Sequence, residues 1–188
     1  MKLLFRAALV VLTLFSVAGA KDNKSPFLHA KLIGFQEVPV VSTVATGEFR
    51  GVINPGDQSI NFTLTYSGLQ GAVTQAHIHL AQRSVNGGIV IWFCKTTQAD
   101  APAGTPTCTN GSGSFSGTIT AANVVAIGGA NVSQQVGAGE LAKVIAAIRA
   151  GKAYANVHTN LSTGGEIRGQ IEVVRRENDD GDDDEDED

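Results

Sequence analysis

The chain has 188 residues, 14 Lys and Arg against 18 Asp and Glu, a formal net charge of −4 and 43% apolar residues. That length suits one domain with a substantial core. The basic residues are scattered and few aromatics lie among them, which argues against a nucleic-acid surface.

The first element is not part of a fold. "MKLLFRAALVVLTLFSVAGA" carries Lys2 and Arg6, runs apolar from Ala7 and ends in Ala18-Gly19-Ala20. This is the charge, apolar core and small-residue order of a secretory signal. Residues 1–20 are therefore expected to be removed after Ala20. The product is expected to be exported, extracellular or periplasmic, with no stable membrane anchor after cleavage. A retained N-terminal anchor is the alternative. No later apolar run approaches the roughly 18 residues that a spanning helix needs.

Residues 21–176 read as a β domain. "FLHAKLIGF" and "GEFRGVI" alternate apolar and polar residues, and "INPGDQSI" is a turn that joins the second of them to "INFTLTYSGL". "AVTQAHIHLA" and "GIVIWFC" follow, separated by the Asn86-Gly87-Gly88 turn signal. Cys94 and Cys108 then flank a loop rich in Pro, Ala and Thr. In an exported chain they are expected to be disulfide-bonded. After the strand "SGSFSGTIT", Leu141, Val144, Ile145 and Ile148 fall at i, i+3, i+4 and i+7, and Gly151 supplies a stop. This predicts one short helix near residues 138–150. "KAYANVHT" and "GEIRGQIEVV" close the domain around "NLSTGG". The expected fold is all-β, an antiparallel Greek-key-like sandwich of about seven to nine strands.

The last segment, residues 177–188, holds ten of the 18 acidic residues. It has no apolar residue to bury, and its charges repel one another, so a disordered acidic tail is expected. Four sequons begin at Asn61, Asn110, Asn131 and Asn160. Their use depends on the host and, for Asn61, on the strand face that it occupies.

Two internal echoes stand out. "GEFRGVI", "GSFSGTI" and "GEIRGQI" share Gly-x-[Phe/Ile]-x-Gly-x-Ile, a pattern of repeated sheet geometry. "AHIH" (76–79) and "ANVH" (155–158) align His79 with His158 and His77 with Asn156. His-x-His on a strand places both rings on one face, because side chains alternate with period two. His158, on a related strand, completes a candidate set of three imidazoles suited to copper or zinc. Asn156 or Glu166 is the candidate to orient a ring through its second nitrogen. The competing reading is a polar or hydrogen-bonded cluster that ties His79 and His158 to Glu166 and Arg168. Glu48 with Arg50, and Glu166 with Arg168, are expected to form cross-strand ion pairs.

No catalytic set appears. No serine occupies a nucleophile elbow and no carboxylate pair stands out. The His-x-His strand is shared with copper-zinc superoxide dismutase, but His29 is the one histidine left over and no bridging-histidine loop is visible.

"GFQEVPVVSTVATGEFRGVI", "AHIHLA" and "LAKVIAAIRAGKAYANVHTNLSTGGEIRGQI" together resemble the CHRD domain, the module named after chordin. The resemblance spans residues 27–173. Leu80-Ala81 stands where the family's first histidine motif usually continues into glycine, and the Cys94–Cys108 loop looks like an insertion. The resemblance implies a stand-alone secreted β-rich module. Two function classes follow. One is a non-enzymatic binding or structural module for an extracellular protein or polymer. The other is an exported copper- or zinc-binding protein, redox-active or a carrier.

Overall fold

The computed structural model describes residues 25–98, 100–128 and 133–174. The expected signal segment at 1–20 and the acidic tail at 177–188 lie outside them. Among the described residues nine strands run in chain order: β1 (Phe27–Ile33), β2 (Thr46–Ile53), β3 (Ile60–Ser67), β4 (Val73–Leu80), β5 (Gly88–Lys95), β6 (Gly113–Ile119), β7 (Ala153–Thr159), β8 (Ile167–Gln170) and β9 (Glu172–Val174). One α-helix, α1 (Leu141–Arg149), separates β6 from β7 among the described residues. The expected all-β class and the helix near 138–150 are both found.

The strands form one sheet in the order β5-β4-β7-β8-β1-β2-β3-β6, with β9 also on β1. Every strand pair is antiparallel. β7 lies between β4 and β8, so the chain returns from β6 through α1 to fill an interior position. The segment β8–β9 turns the sheet's corner. β8 pairs with β7 along its length and meets β1 at Arg168 opposite Ile33, while β9 pairs with β1 alone. The sheet thereby folds on itself as a nearly closed sandwich. Phe93 of β5 lies 5.8 Å from Phe49 of β2 and 4.9 Å from Phe62 of β3, ring centre to ring centre. These aromatic contacts join the two layers.

The period-two patterns account for the core. Phe49, Ile53, Ile119, Ile167 and Ile171, the apolar positions of the glycine-spaced echo, are all buried, and Phe115 packs against the same core. That echo therefore marks repeated core geometry. α1 lays Leu141, Val144, Ile145 and Ile148 into the core, as the helical spacing predicts. Asn61 is exposed on β3 and accepts a hydrogen bond from Thr118.

The free edge of β5 is covered by other parts of the chain. Lys95 exchanges backbone hydrogen bonds with Pro106 and Cys108, at 2.9 and 3.0 Å, and Val125 N–H donates to Val90 C=O at 3.0 Å. The Cys94–Cys108 disulfide fixes the first of these contacts, with Cα atoms 4.9 Å apart. Such covering protects an edge from pairing with another chain. The cross-link spans 14 positions. A loop of that size contributes about 3 kcal/mol in the chain-entropy account. Replacing both cysteines by alanine should lower the unfolding free energy in denaturant by about 2–4 kcal/mol. A change below about 0.5 kcal/mol would show that the edge contacts alone hold the loop.

Candidate functional site

β4 and β7 are neighbours, and both faces of each are buried. One face carries Ala76, Ile78 and Leu80 beside Ala153, Ala155 and Val157, all in the apolar core. The other carries His77 and His79 beside Tyr154, Asn156 and His158. In the antiparallel register His77 lies opposite Asn156, His79 opposite Tyr154, and Gln75 opposite His158. His158 is thus the diagonal neighbour of His77, a relation that brings side chains within reach. It is strand pairing with β4, and not the closing hairpin alone, that delivers the third histidine.

The three rings converge. One nitrogen from each of His77, His79 and His158 lies within 4.8 Å of the others. Three such atoms can all be reached from one point no more than about 2.8 Å away, against Zn–N bonds of about 2.0–2.1 Å. Small ring tilts close that gap. Relative exposures are 0% for His77, 7% for His79 and 6% for His158.

The ring orientations are fixed from behind. His79 Nδ1 lies 2.8 Å from the Gly87 carbonyl, and His158 Nδ1 lies 2.9 Å from the Thr163 carbonyl. A carbonyl only accepts, so each Nδ1 carries the proton. Each Nε2 then presents a bare lone pair, provided the ring is neutral. Burial keeps the rings neutral: it pushes His77 down to about 2 and His79 to about 4, and it lowers His158 too. For His77, the neighbouring His158 and His79 add to the effect of burial.

Among the described residues, the buried side-chain nitrogens and oxygens without a hydrogen-bond partner form one short set. They are Glu37 Oε1, both nitrogens of His77, Nε2 of His79, Nε2 of His158 and Oδ1 of Asn156. Buried polar atoms are almost always paired, and each unpaired one costs about 1–3 kcal/mol. Here they gather around Asn156, whose side chain lies close enough for hydrogen bonding to lower Glu37 and to raise His77 and His79, although no contact to these atoms reaches full hydrogen-bond geometry.

Aromatic rings enclose the histidines. Trp92 of β5 meets His77 edge to face at 4.3 Å, and Tyr154 stacks on His79 at 4.8 Å with planes 3° apart. The Arg168 guanidinium covers the outer face of Tyr154, 3.4 Å from the ring centre, in a cation–π contact. Arg168 also donates to Asn86 Oδ1 and to the Val85 and Gln82 carbonyls.

Three loops roof this face. Asn86 donates to the Val38 carbonyl, and Thr43 donates to Glu166, so the β4–β5, β1–β2 and β7–β8 loops are tied together. Two glycines permit the closure. A Cβ on Gly87 would lie 1.9 Å from the Leu80 carbonyl oxygen. Gly165, at φ +123, has the Glu37 carboxylate where its Cβ would be. Glu37 itself is buried, and desolvation raises it to about 7 despite the nearby Arg168 cation.

Glu166 has a different role from the one expected of it. Its carboxylate accepts from Thr43, from Thr159 and from the Gln70 backbone N–H. Backbone carbonyls, and not Glu166 or Asn156, receive the Nδ1 protons of His79 and His158. The expected cross-strand ion pair of Glu166 with Arg168 is likewise corrected: both side chains are buried, each with other hydrogen-bond partners. Glu48 and Arg50 do pair, at 3.0 Å, and Glu48 also meets His29 at 2.9 Å. His29 stands on the exposed face of β1, apart from the other three.

The burial of neutral histidines has a pH consequence. Each folded histidine titrates below its ordinary value of 6.5. As the pH falls past 6.5, the unfolded chain takes up protons that the folded chain refuses, and stability is lost. Glu37 acts with the opposite sign. Between about 7 and its ordinary 4.5 the folded chain gains a proton there first. His77 and His79 against Glu37 leave a net difference of about one proton, or about 1–2 kcal/mol per pH unit near pH 5, and His158 adds to it in the same direction. Denaturant midpoints of metal-free protein should therefore be level above pH 7 and fall steeply from 6.5 to 5. A level profile across that range would mean that the rings are not buried in the neutral form.

Comparison with curated proteins finds no match, and comparison with solved structures finds none. The family model described as the CHRD domain matches residues 28–171. That span contains β1 from Leu28 onward, β2 to β8, α1, the disulfide and the three converging histidines. The chain belongs to the CHRD domain family.

Proposed function

We propose that this chain is an exported, non-enzymatic CHRD module that binds one transition-metal ion, copper or zinc, at His77, His79 and His158. One observation carries the reading. His79 and His158 each keep a buried Nε2 without a hydrogen-bond partner while their Nδ1 is held by a backbone carbonyl, and the three histidines each offer a nitrogen within 4.8 Å of the others. That is the usual way in which a protein fixes a ligating histidine. A purely structural cluster would spend those nitrogens on hydrogen bonds to neighbours, which would remove the cost of burying them. Of the two expected supporting residues, Asn156 lies opposite His77 and acts on His77 and His79. Glu166 supports the site at one remove, by holding the β1–β2 and β7–β8 loops together through Thr43 and Thr159.

Export fits the Cys94–Cys108 disulfide, since disulfides persist in oxidising compartments. Among the described residues no helix is long and apolar enough to cross a membrane. We further read residues 1–20 as the export signal, residues 21–176 as the domain, and residues 177–188 as an acidic tail that is dispensable for folding.

A second reading is docking to an extracellular protein or polymer. It is favoured by exposed apolar side chains on the roof loops: Phe35 at 66%, Val44 at 82% and Leu161 at 70%. Exposed apolar groups on loops that are tied to one another are candidates for an interaction surface.

Metal content of protein purified without a histidine tag tests the main reading. Close to one copper or zinc per chain is expected. His79→Ala should weaken the metal by at least ~10–100-fold in competition with a chelator, as loss of a ligand does. Equal binding by wild type and variant would leave the histidines a purely structural cluster.

A further inference from the structure

The site as built is better matched to one ion than to the pair copper and zinc. We propose that His77, His79 and His158 select cuprous copper, held in three-coordinate geometry by three neutral imidazoles, over zinc and cupric ions. This rests on the metal-binding reading above.

The first ground is charge. The candidate ligands are three histidines, with no carboxylate or thiolate among them. Neutral ligands leave the ion's charge uncompensated. The rings are buried, and the cost of burying an ion grows with the square of its charge, so a dication costs about four times as much as a monocation of equal size. The other charged groups nearby are Arg168 and Glu37. Arg168 is a cation stacked on Tyr154, which is in turn stacked on His79. Glu37 supplies at most one negative charge and lies beside that cation. The surroundings thus tolerate one positive charge better than two.

The second ground is coordination number. Zinc takes four ligands, and cupric copper prefers a tetragonal set. β4 and β7 offer three nitrogens from two adjacent strands, with aromatic rings packed on two of the three histidines. Trp92 packs on His77, and Tyr154 on His79. A filled-shell monovalent ion that accepts three nitrogens meets both conditions. Hard monovalent ions such as sodium prefer oxygen donors and gain little from imidazoles.

The test uses the full mature protein without a tag. Cuprous copper is supplied under ascorbate without oxygen, in competition with a chromophoric cuprous chelator. Zinc is titrated against a chromophoric zinc chelator. Trp92 is the chain's single tryptophan and touches His77, so its fluorescence reports occupancy at this site. The expected result is one cuprous ion per chain, with quenching of Trp92 and an affinity above that for zinc. Silver(I), a redox-inert monovalent stand-in, should bind with the same stoichiometry. His79→Ala and His79→Gln should both lose the quenching while keeping the wild-type circular dichroism spectrum. If those variants unfold, silver displacement of zinc from the wild type still decides the matter. Zinc binding as tight as cuprous copper would overturn the selectivity and leave the metal reading intact. Failure of copper, silver and zinc alike to bind would remove both.

Discussion

The pairing of β4 with β7 is the constraint on which the rest of the molecule depends. Both strands are buried on both faces, yet only one face of each is apolar. The apolar face joins the sandwich core and supplies the ordinary hydrophobic stabilisation of about 25 cal/mol per Å² buried. The other face carries three histidines, an asparagine and a tyrosine, and a fold that removes these from water must do something with their polar atoms. The roof of three loops, laced by Asn86, Thr43 and Glu166, exists to close over that face. It pairs the outer nitrogens of His79 and His158 and leaves the inner ones bare. A face that is both closed and unpaired is costly to build. Its persistence is what gives the histidines a functional reading.

Much of this was legible in the sequence, because the signals are periodic. The period of two in "QAHIHL" put His77 and His79 on one side of a strand, and the spacing of Leu141, Val144, Ile145 and Ile148 gave the helix its buried stripe. The "AHIH"/"ANVH" echo suggested that His158 shares the face, and the β4–β7 register bears this out. What could not be read was anything set by register between distant strands or by the path of loops. Trp92 meets His77 only because irregularities in the β4–β5 ladder, between Ala76 and His77 and between Ile78 and His79, set that pairing. Glu37 arrives from a loop 40 positions before His77, and the sequence around it reads as an ordinary connection. Glu166, next to the histidine motif in sequence, was the natural candidate to orient a ring. The 160–166 turn instead carries its carboxylate to Thr43, Thr159 and the Gln70 amide. A hydrogen bond to the nearest backbone carbonyl leaves no residue-type signal, so the two Nδ1 partners were invisible in principle.

The electrostatics of the site follow from the same closure. Arg168 is buried, held by two backbone carbonyls and the face of Tyr154, and its charge is delocalised enough to be tolerated there. Glu37 sits near it with a carboxyl raised by desolvation, so the pair falls short of full mutual neutralisation at neutral pH. The histidine cluster therefore lies in a region of low polarity and weakly positive potential. Such a place holds a neutral imidazole readily and an imidazolium poorly. It also sets the terms for any ion that enters: bonds to nitrogen lone pairs must offset most of the cost of leaving water.

The central claim is that these lone pairs point at one shared centre. Anomalous diffraction from crystals grown with copper or zinc, recorded on both sides of the metal's absorption edge, tests it directly. The account predicts a single anomalous peak between β4 and β7, within bonding distance of one nitrogen from each of His77, His79 and His158. A structure in which those nitrogens instead donate or accept hydrogen bonds among themselves or with ordered water, with the metal elsewhere or nowhere, would contradict it.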